Sequence, residues 1–467
     1  MDNKNIIFVM LDTVRADMLS TYGGKISMPN LDRLARHGRR YDMAVAPGTY
    51  TLPSHLSIFL GKRVTDIPGM KATGMKFSEL MTDPLLRKAR YASGGMTLAG
   101  MMEYFGYRSA MFSNNPFVSG PTGLADGFSH VSSMFVDSML RSNRLWVRTV
   151  LGIIQSDLAR RNLIKLGYGI SSLMPDRSID RLYLKLRKKL NEHFSREYGY
   201  YRLDKGAVQT NRQIKEYAND SIDQRNFIFI NYMEGHEGYP TNLVARQYVE
   251  QDKWLHMTGN ANGGIDEIKL GYARRLEYLD SKVGDLLGTL GKAGILDDAA
   301  VIIASDHGQA FMEHGQMFHN TFPYNEVARV PLVIAQFEDG RQVRLGETVN
   351  EPFSLTRLNG LIAAGMDRCS TQAAISDHIG ITEVWDTYLL KLFRKRSRNA
   401  DMIYSKKREL DRKVTAIYKG SYKVLHHYGK GMDEPYDLKR DPAEEHNIIG
   451  TNRGVAHSIL RLGIPWN

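Results

Sequence analysis

The chain has 467 residues, 42% apolar and 24% charged, with a formal net charge of +11. That length exceeds one small core and fits roughly two to three domains, or one large α/β domain with an appendage. A single cysteine, Cys369, excludes an intrachain disulfide and a cysteine-rich zinc site, and suits a reducing compartment. The positive balance favours anionic partners, although a solvated basic face is the commoner outcome. The N-terminus lacks a signal-peptide pattern and no run reaches membrane-spanning length, so the expectation is a soluble cytoplasmic protein.

Residues 5–11 are a continuous apolar run, the pattern of a strand buried on both faces. It ends at Asp12, followed by Arg15. Ligands of open α/β sheets bind beyond the carboxyl ends of strands, which places Asp12 as a metal ligand; its bland alternative is a strand-end turn. Residues 29–38 read as a short amphipathic helix closed by Gly38. The stretch 46–62 follows, with Thr51 two residues before Pro53, then Ser54, His55 and an apolar run ending before Lys62. Ser54 is expected to cap a helix there. A helix N-terminus favours an anion, so a hydroxyl just ahead of it suits attack on a phosphate or sulfate ester. Residues 97–113 read as helix then strand, with Gly106 closing the helix and Asn114 and Asn115 ending the strand.

Residues 132–225 are rich in Arg and Lys and carry no chemical motif. They are expected to form a basic helical insertion over one end of the sheet. A lid, a partner surface or a membrane-surface contact all fit it, and plain packing is the simplest. Specific nucleic-acid binding is not expected, because the basic residues lack aromatic interleaving. Residues 227–240 read as a strand that delivers His236 to its carboxyl end, 266–290 as a long helix, and 299–305 as a strand ending in Asp306–His307–Gly308. Gly308 is expected to allow a tight turn. Asp12, Thr51, Asp306 and His307 then supply oxygen and nitrogen ligands to one divalent cation, with zinc or manganese favoured and calcium allowed. Glu313 and His314 are placed close behind this set.

These residues carry a resemblance. Residues 8–17, 51–62 (Thr51–Leu52–Pro53–Ser54–His55 and the run that follows), 103–110, 278–287, 305–315 (opening Ser305–Asp306–His307–Gly308), 329–334, 418–424 and 436–447 together resemble the sulfatase family of the alkaline phosphatase superfamily. The resemblance implies a large mixed, mostly parallel sheet sandwiched by helices, over residues 1–385. A small C-terminal α+β subdomain with an antiparallel sheet, 386–467, follows. Sulfatases of the family place a cysteine or serine, oxidised to formylglycine, where Thr51 stands, and an arginine where His55 stands. Threonine at this place resembles instead the nucleophile of phosphoethanolamine transferases, and His319 resembles their substrate histidine.

The expected activity is therefore metal-dependent hydrolysis of phosphate mono- or diesters through a phospho-Thr51 enzyme. His319 or His236 handles the leaving-group proton. His55, Arg15 and Lys62 are the substrate-binding candidates. The substrate is an anionic ester, glycan- or lipid-linked. The alternatives are a phosphotransferase modifying a glycan or lipid, a sulfuric ester hydrolase, and an inactive anion-binding module.

Overall fold

An apolar run without a polar face has to be covered on both sides. The computed structural model describes residues 5–67, 97–133 apart from 116, 203–239 apart from 221–223, 265–363 apart from 320–321, 378–386 and 412–463 apart from 430. Strand β1 (Asn5–Leu11) is buried at every position. It is followed by β2 (Arg39–Tyr41), β3 (Ala44–Val45), β4 (Arg108–Ser113), β5 (His130–Ser133), β6 (Asn226–Tyr232) and β7 (Asp298–Ser305). The large domain continues with β8 (Ala310–Phe311), β9 (Met317–Phe318), β10 (Leu332–Glu338), β11 (Arg341–Gln342), β12 (Glu347–Val349) and β13 (Phe353–Ser354). The main sheet runs β12-β2-β10-β7-β1-β6-β4-β5, with β11 on β10. Strands β7, β1, β6, β4 and β5 are parallel, and β10 is antiparallel to β7. The mixed, mostly parallel sheet is the one expected.

Register decides where the chemistry sits. Leu11 lies opposite both Tyr232 and Ser305, and Ser113 opposite Asn231. The carboxyl ends of β1, β4, β6 and β7 are flush, so the residues that follow each strand emerge along one edge.

Alternation along β1 splits the core. Ile6, Phe8 and Met10 join the helix Thr51–Leu60, while Ile7, Val9 and Leu11 join the long helix Ile265–Lys292. Phe229 takes the edges of Phe8 at 5.4 Å and Phe59 at 4.9 Å, which seats the Thr51 helix on the sheet. The helix Ala207–Asn219 buries Ile214 and Tyr217 in the second core. The C-terminal end of the 132–225 stretch is therefore a core crossover helix rather than part of an insertion. The basic run from 141 to 202 lies outside the described residues. Among the described residues no helix is long and apolar enough to cross a membrane.

The C-terminal sheet contains β14 (Ile379–Asp386), β15 (Arg412–Lys419), β16 (Tyr422–His427) and β17 (Met432–Asp437), all antiparallel. It opens at Ile379, ahead of the expected boundary at 386. The helix Arg453–Gly463 covers one face through Ala456, Ile459 and Leu460. The other face meets Val45 and Ala328 of the large domain. Strand β14 also grips the approach to Thr51. The Glu383 N–H donates to the Pro47 carbonyl at 2.8 Å, and the Thr382 hydroxyl to Ala46 at 2.6 Å.

A polar tie completes the join. Lys423 and Glu444, both with fully buried side chains, form an ion pair at 2.5 Å, and Glu444 accepts the Asn325 N–H at 2.6 Å. Removing one member of a buried pair strands the other charge. Lys423→Met is expected to cost about 3–5 kcal/mol in urea unfolding, and the double variant Lys423→Met/Glu444→Leu markedly less.

His314 sits at the same join, 2.9 Å from Glu326 and stacked at 3.7 Å on Tyr324. Burial opposes its protonation, but Glu326 and Glu444 outweigh burial and raise its pKa above the ordinary 6.5. A raised folded-state value adds stability below the unfolded pKa that is lost as pH rises through the folded one. The melting-temperature gap between the natural chain and His314→Gln should be widest near about pH 6 and shrink by about pH 8.

Candidate active site

Thr51 owes its position to an early helix start. The helix begins at Thr51 after an extended Tyr50, and no side chain caps it. Pro53 lies in the first turn, where its missing N–H costs nothing. The expected cap at Ser54 is thus inside the helix, and its hydroxyl accepts the Gly48 N–H at 3.2 Å instead. The first-turn N–H groups and the positive end of the helix are left beside Thr51 at the sheet's carboxyl edge. The Thr51 side chain is buried, with Oγ1 3.5 Å from Nε2 of His307.

His55, one turn on, holds the backbone of Thr51. Its Nδ1 donates to the Thr51 carbonyl at 2.9 Å, and its ring stands edge-on to Phe59 and Phe229. Burial pushes its pKa down to about 4, so the ring is neutral at neutral pH.

Asp12, Asp306 and His307 bring ligand atoms within 4.8 Å of one another, and all three are fully buried. His307 donates from Nδ1 to the Gly308 carbonyl at 2.9 Å, which leaves Nε2 with a bare lone pair. Asp306 Oδ1 accepts the N–H groups of Thr13 and His307. Its other oxygen, Oδ2, has no hydrogen-bond partner and lies 3.5 Å from His307 Nε2 and from His55 Nδ1. Asp12 accepts the Thr13 hydroxyl and the Asn115 amide, each at 2.5 Å.

Burial and the neighbouring Asp12 charge push the Asp306 carboxyl far up. Burial opposes the Asp12 charge too, but the His236 and His307 imidazoles and the Thr13 hydroxyl outweigh it and hold its pKa down. Two buried carboxyls with a bare imidazole nitrogen and an orphaned oxygen fit a divalent cation, with the Thr51 hydroxyl as a further donor.

Gly308 is needed for a different reason from the one expected. It has no left-handed φ; a Cβ there would stand 2.1 Å from the Glu326 carbonyl, so the requirement is close approach of two backbones. Gly235 does the same on the other side, where a Cβ would stand 2.4 Å from the Asp12 carbonyl.

That contact presses the loop after β6 against the site. His236 Nδ1 lies 2.9 Å from Glu237 Oε2, which lies 3.3 Å from His319 Nδ1. The His319 ring is 4.8 Å from both the His236 and the His307 rings. Burial opposes the Glu237 charge, but these imidazoles hold its carboxyl below the usual range. Behind the loop, Lys205 Nζ donates to the carbonyls of His236 and Glu237 at 2.8 and 2.6 Å.

The edge therefore gathers Asp12, Thr51, His55, His236, Asp306, His307 and His319. Arg15 does not join as a free cation. Its guanidinium is taken by Asp17, Glu313 and the Gln309 carbonyl. Glu313 thus serves Arg15, and His314 serves the C-terminal join. Lys62 stands past the opposite end of the Thr51 helix, about 15 Å away along its axis. Of the two asparagines, Asn115 reaches Asp12, while Asn114 accepts from Thr210. Glu237 and Gln309 escaped the sequence reading. Glu237 is adjacent to His236 and could have been found by asking which acid fixes that ring; Gln309 needs the tertiary structure.

A family model described as Sulfatase matches residues 4–357. The chain is 23% identical over 505 aligned positions to the N-acetylglucosamine-6-O-sulfatase of Bacteroides thetaiotaomicron, covering 96% of this chain and 82% of that protein. The phosphonate monoester hydrolase of Agrobacterium radiobacter superposes with a TM-score of 0.63 at 15% identity, covering 98% of this chain and 95% of that one. A protein solved with its substrate D-glucosamine-2-N,6-O-disulfate superposes with a TM-score of 0.59 at 16% identity, covering 98% and 96%. The structural likenesses bear out the alkaline phosphatase-like fold.

Asp306→Asn halves the carboxylate charge of the buried set while keeping its shape. The expected result is loss of bound divalent metal, read as metal per chain by plasma mass spectrometry, with an unchanged near-UV circular dichroism spectrum.

Proposed function

The chain belongs to the sulfatase family, and within it we propose a metal-dependent hydrolase of phosphate mono- or diesters that uses Thr51 as its nucleophile. The observation that carries the proposal is the Thr51 hydroxyl itself, buried at an uncapped helix start, 3.5 Å from the bare Nε2 of His307. Threonine is a secondary alcohol. Oxidation at its Cβ gives a ketone, not an aldehyde, so the aldehyde hydrate is closed to this chain. An unmodified hydroxyl can attack phosphorus and be released by a second displacement.

Asp12, Asp306, His307 and Thr51 would hold a divalent ion, which would supply neutralising charge to the ester and lower the cost of deprotonating the Thr51 hydroxyl. The mixed oxygen and nitrogen set supports zinc or manganese and allows calcium. The helix start favours the anionic ester through its N–H groups. His55 fixes Thr51 through its carbonyl. In this reading His319 or His236, braced by Glu237, gives the leaving oxygen its proton and later takes one from water. The single cysteine supports a cytoplasmic setting.

A second reading is a sulfuric ester hydrolase acting on a glycan sulfate. The relatives' names favour it over phosphorus, since the curated relatives matched include an N-acetylglucosamine-6-O-sulfatase and an arylsulfatase. The residue at position 51 favours the first.

Aryl phosphate monoester, phosphodiester and sulfate ester, each with zinc, manganese or calcium, separate the two. Phosphoester turnover is expected to exceed sulfate turnover. It should fall by about 10⁴-fold or more in Thr51→Ala, on the scale of a lost nucleophile. Faster sulfate turnover would transfer the proposal to the second reading.

A further inference from the structure

The carbonyls of the loop after β6 are held one after another by buried side chains. Arg275, from the middle of the long helix, donates to those of Glu234 and His236 at 3.2 Å each and of Gly238 at 2.7 Å. The Tyr239 hydroxyl donates to that of Gly235 at 3.1 Å. Lys205 Nζ donates to those of His236 at 2.8 Å and Glu237 at 2.6 Å. We propose that Lys205 is a positioning residue for the leaving-group proton: it fixes the backbone of Glu237, and through the Glu237 carboxylate the rings of His236 and His319. The proposal rests on the hydrolase reading, in which one of those rings protonates the leaving oxygen.

Peptide geometry is the first argument. Peptide groups are planar, so the two that flank a Cα set its φ and ψ. The His236 and Glu237 carbonyls belong to the two peptide groups that flank the Glu237 Cα. One ammonium bonded to both therefore fixes the direction in which the Glu237 side chain leaves the loop. That side chain ends with Oε2 2.9 Å from His236 Nδ1 and 3.3 Å from His319 Nδ1. Arg275 reaches residues 234, 236 and 238 and so holds the loop as a whole; the Lys205 bonds are centred on Glu237.

The second argument is that Lys205 is itself held. Glu234 Oε1 accepts the N–H groups of Lys205 and Ala207 at 2.9 and 3.0 Å. The start of the loop thus grips the backbone that sends an ammonium to its middle. Asp204 accepts the Gly206 and Val208 N–H groups at 2.6 and 3.1 Å and the Tyr278 hydroxyl at 2.6 Å, which ties the same backbone to the long helix. Anchor and loop hold each other.

The third argument is burial. Lys205 is buried, where an ammonium is costly. Burial and the Arg275 charge push its pKa down, against the opposing charges of Glu237, Glu234 and Asp12. An apolar side chain would fill the same space without that cost, so its hydrogen bonds are what a lysine adds. They matter to rate because a displacement of about 1 Å at a reacting group can cost on the order of 10²-fold.

The test compares two leaving groups. Nitrophenol departs as its anion, whereas an alkyl alcohol needs a proton. Lys205→Met keeps the side-chain length and removes both hydrogen bonds. It should lower kcat/KM for an alkyl ester by about 10²-fold or more, the scale of a misplaced general acid, and for a nitrophenyl ester by less than about tenfold. Glu237→Gln should show the same contrast, and the double variant should add little to it. Equal losses on both esters would make Lys205 part of the general framework and overturn the proposal, as would no loss on the alkyl ester. Phosphates and sulfates of both alcohols are run side by side. Failure of the phosphate reading then appears as turnover of the sulfates alone, and the leaving-group contrast is read on the series that reacts. Histidine-ring nitrogen resonances give a readout without substrate: Lys205→Met should shift those of His236 and His319, assigned through His236→Gln and His319→Gln, and unshifted rings would overturn the proposal even if no ester reacts. If Lys205→Met does not fold, Lys205→Gln, which keeps an amide donor, is judged by the same contrast.

Discussion

Asp12 and Asp306 place two carboxyls side by side where water does not reach, and much of the site follows from that constraint. Strands β1 and β7 are neighbours with flush ends, so the acids that follow them have to meet. Burial alone makes such a pair costly. The Thr13 hydroxyl and the Asn115 amide stabilise Asp12, and two backbone N–H groups stabilise one oxygen of Asp306. The remaining oxygen of Asp306 lies 3.5 Å from nitrogens of His307 and His55 and makes no hydrogen bond among the described residues. A divalent ion held there would relieve the repulsion and, in the proposed reading, would supply charge beside the Thr51 hydroxyl. Site and cofactor are in this sense one requirement.

The rest of the molecule holds other groups against that pair. The Phe8–Phe229–Phe59 cluster seats the Thr51 helix, and β14 of the C-terminal sheet clamps the segment just before it. The C-terminal subdomain therefore helps position the Thr51 segment, although none of its described residues joins the Asp12–Asp306–His307 group. On the far side, Gly235 lets the His236 loop press on the Asp12 carbonyl, and Lys205 and Arg275 fix the loop's own carbonyls. Thr51 and the two histidines are thus positioned by separate elements against a common edge.

Much of this was legible in the sequence. Buried strands announce themselves as unbroken apolar runs, and polar residues that follow them at once, Asp12 and Asp306–His307, read as edge residues. What was not legible depended on space or on partners distant in the chain. Ser54 looked like a cap with Pro53 in the approach, yet the helix starts at Thr51 and proline is harmless in a first turn. Gly308 looked like a turn glycine, yet its role is clearance from the Glu326 carbonyl. Arg15 looked available until Asp17 and Glu313 were seen around it, and Lys62 looked near Thr51 until the helix between them was counted. Glu237 was legible only as the acid beside His236; its second partner, His319, lies far along the chain and needs the fold to bring it near.

The most direct test of the account is an acid quench of the enzyme during steady turnover of an aryl phosphate, followed by mapping of the peptide that contains residue 51. The account predicts a phosphoryl group on the Thr51 oxygen, formed during turnover and absent without substrate. An oxidised side chain at position 51, or turnover with no adduct there at any quench time, would contradict it.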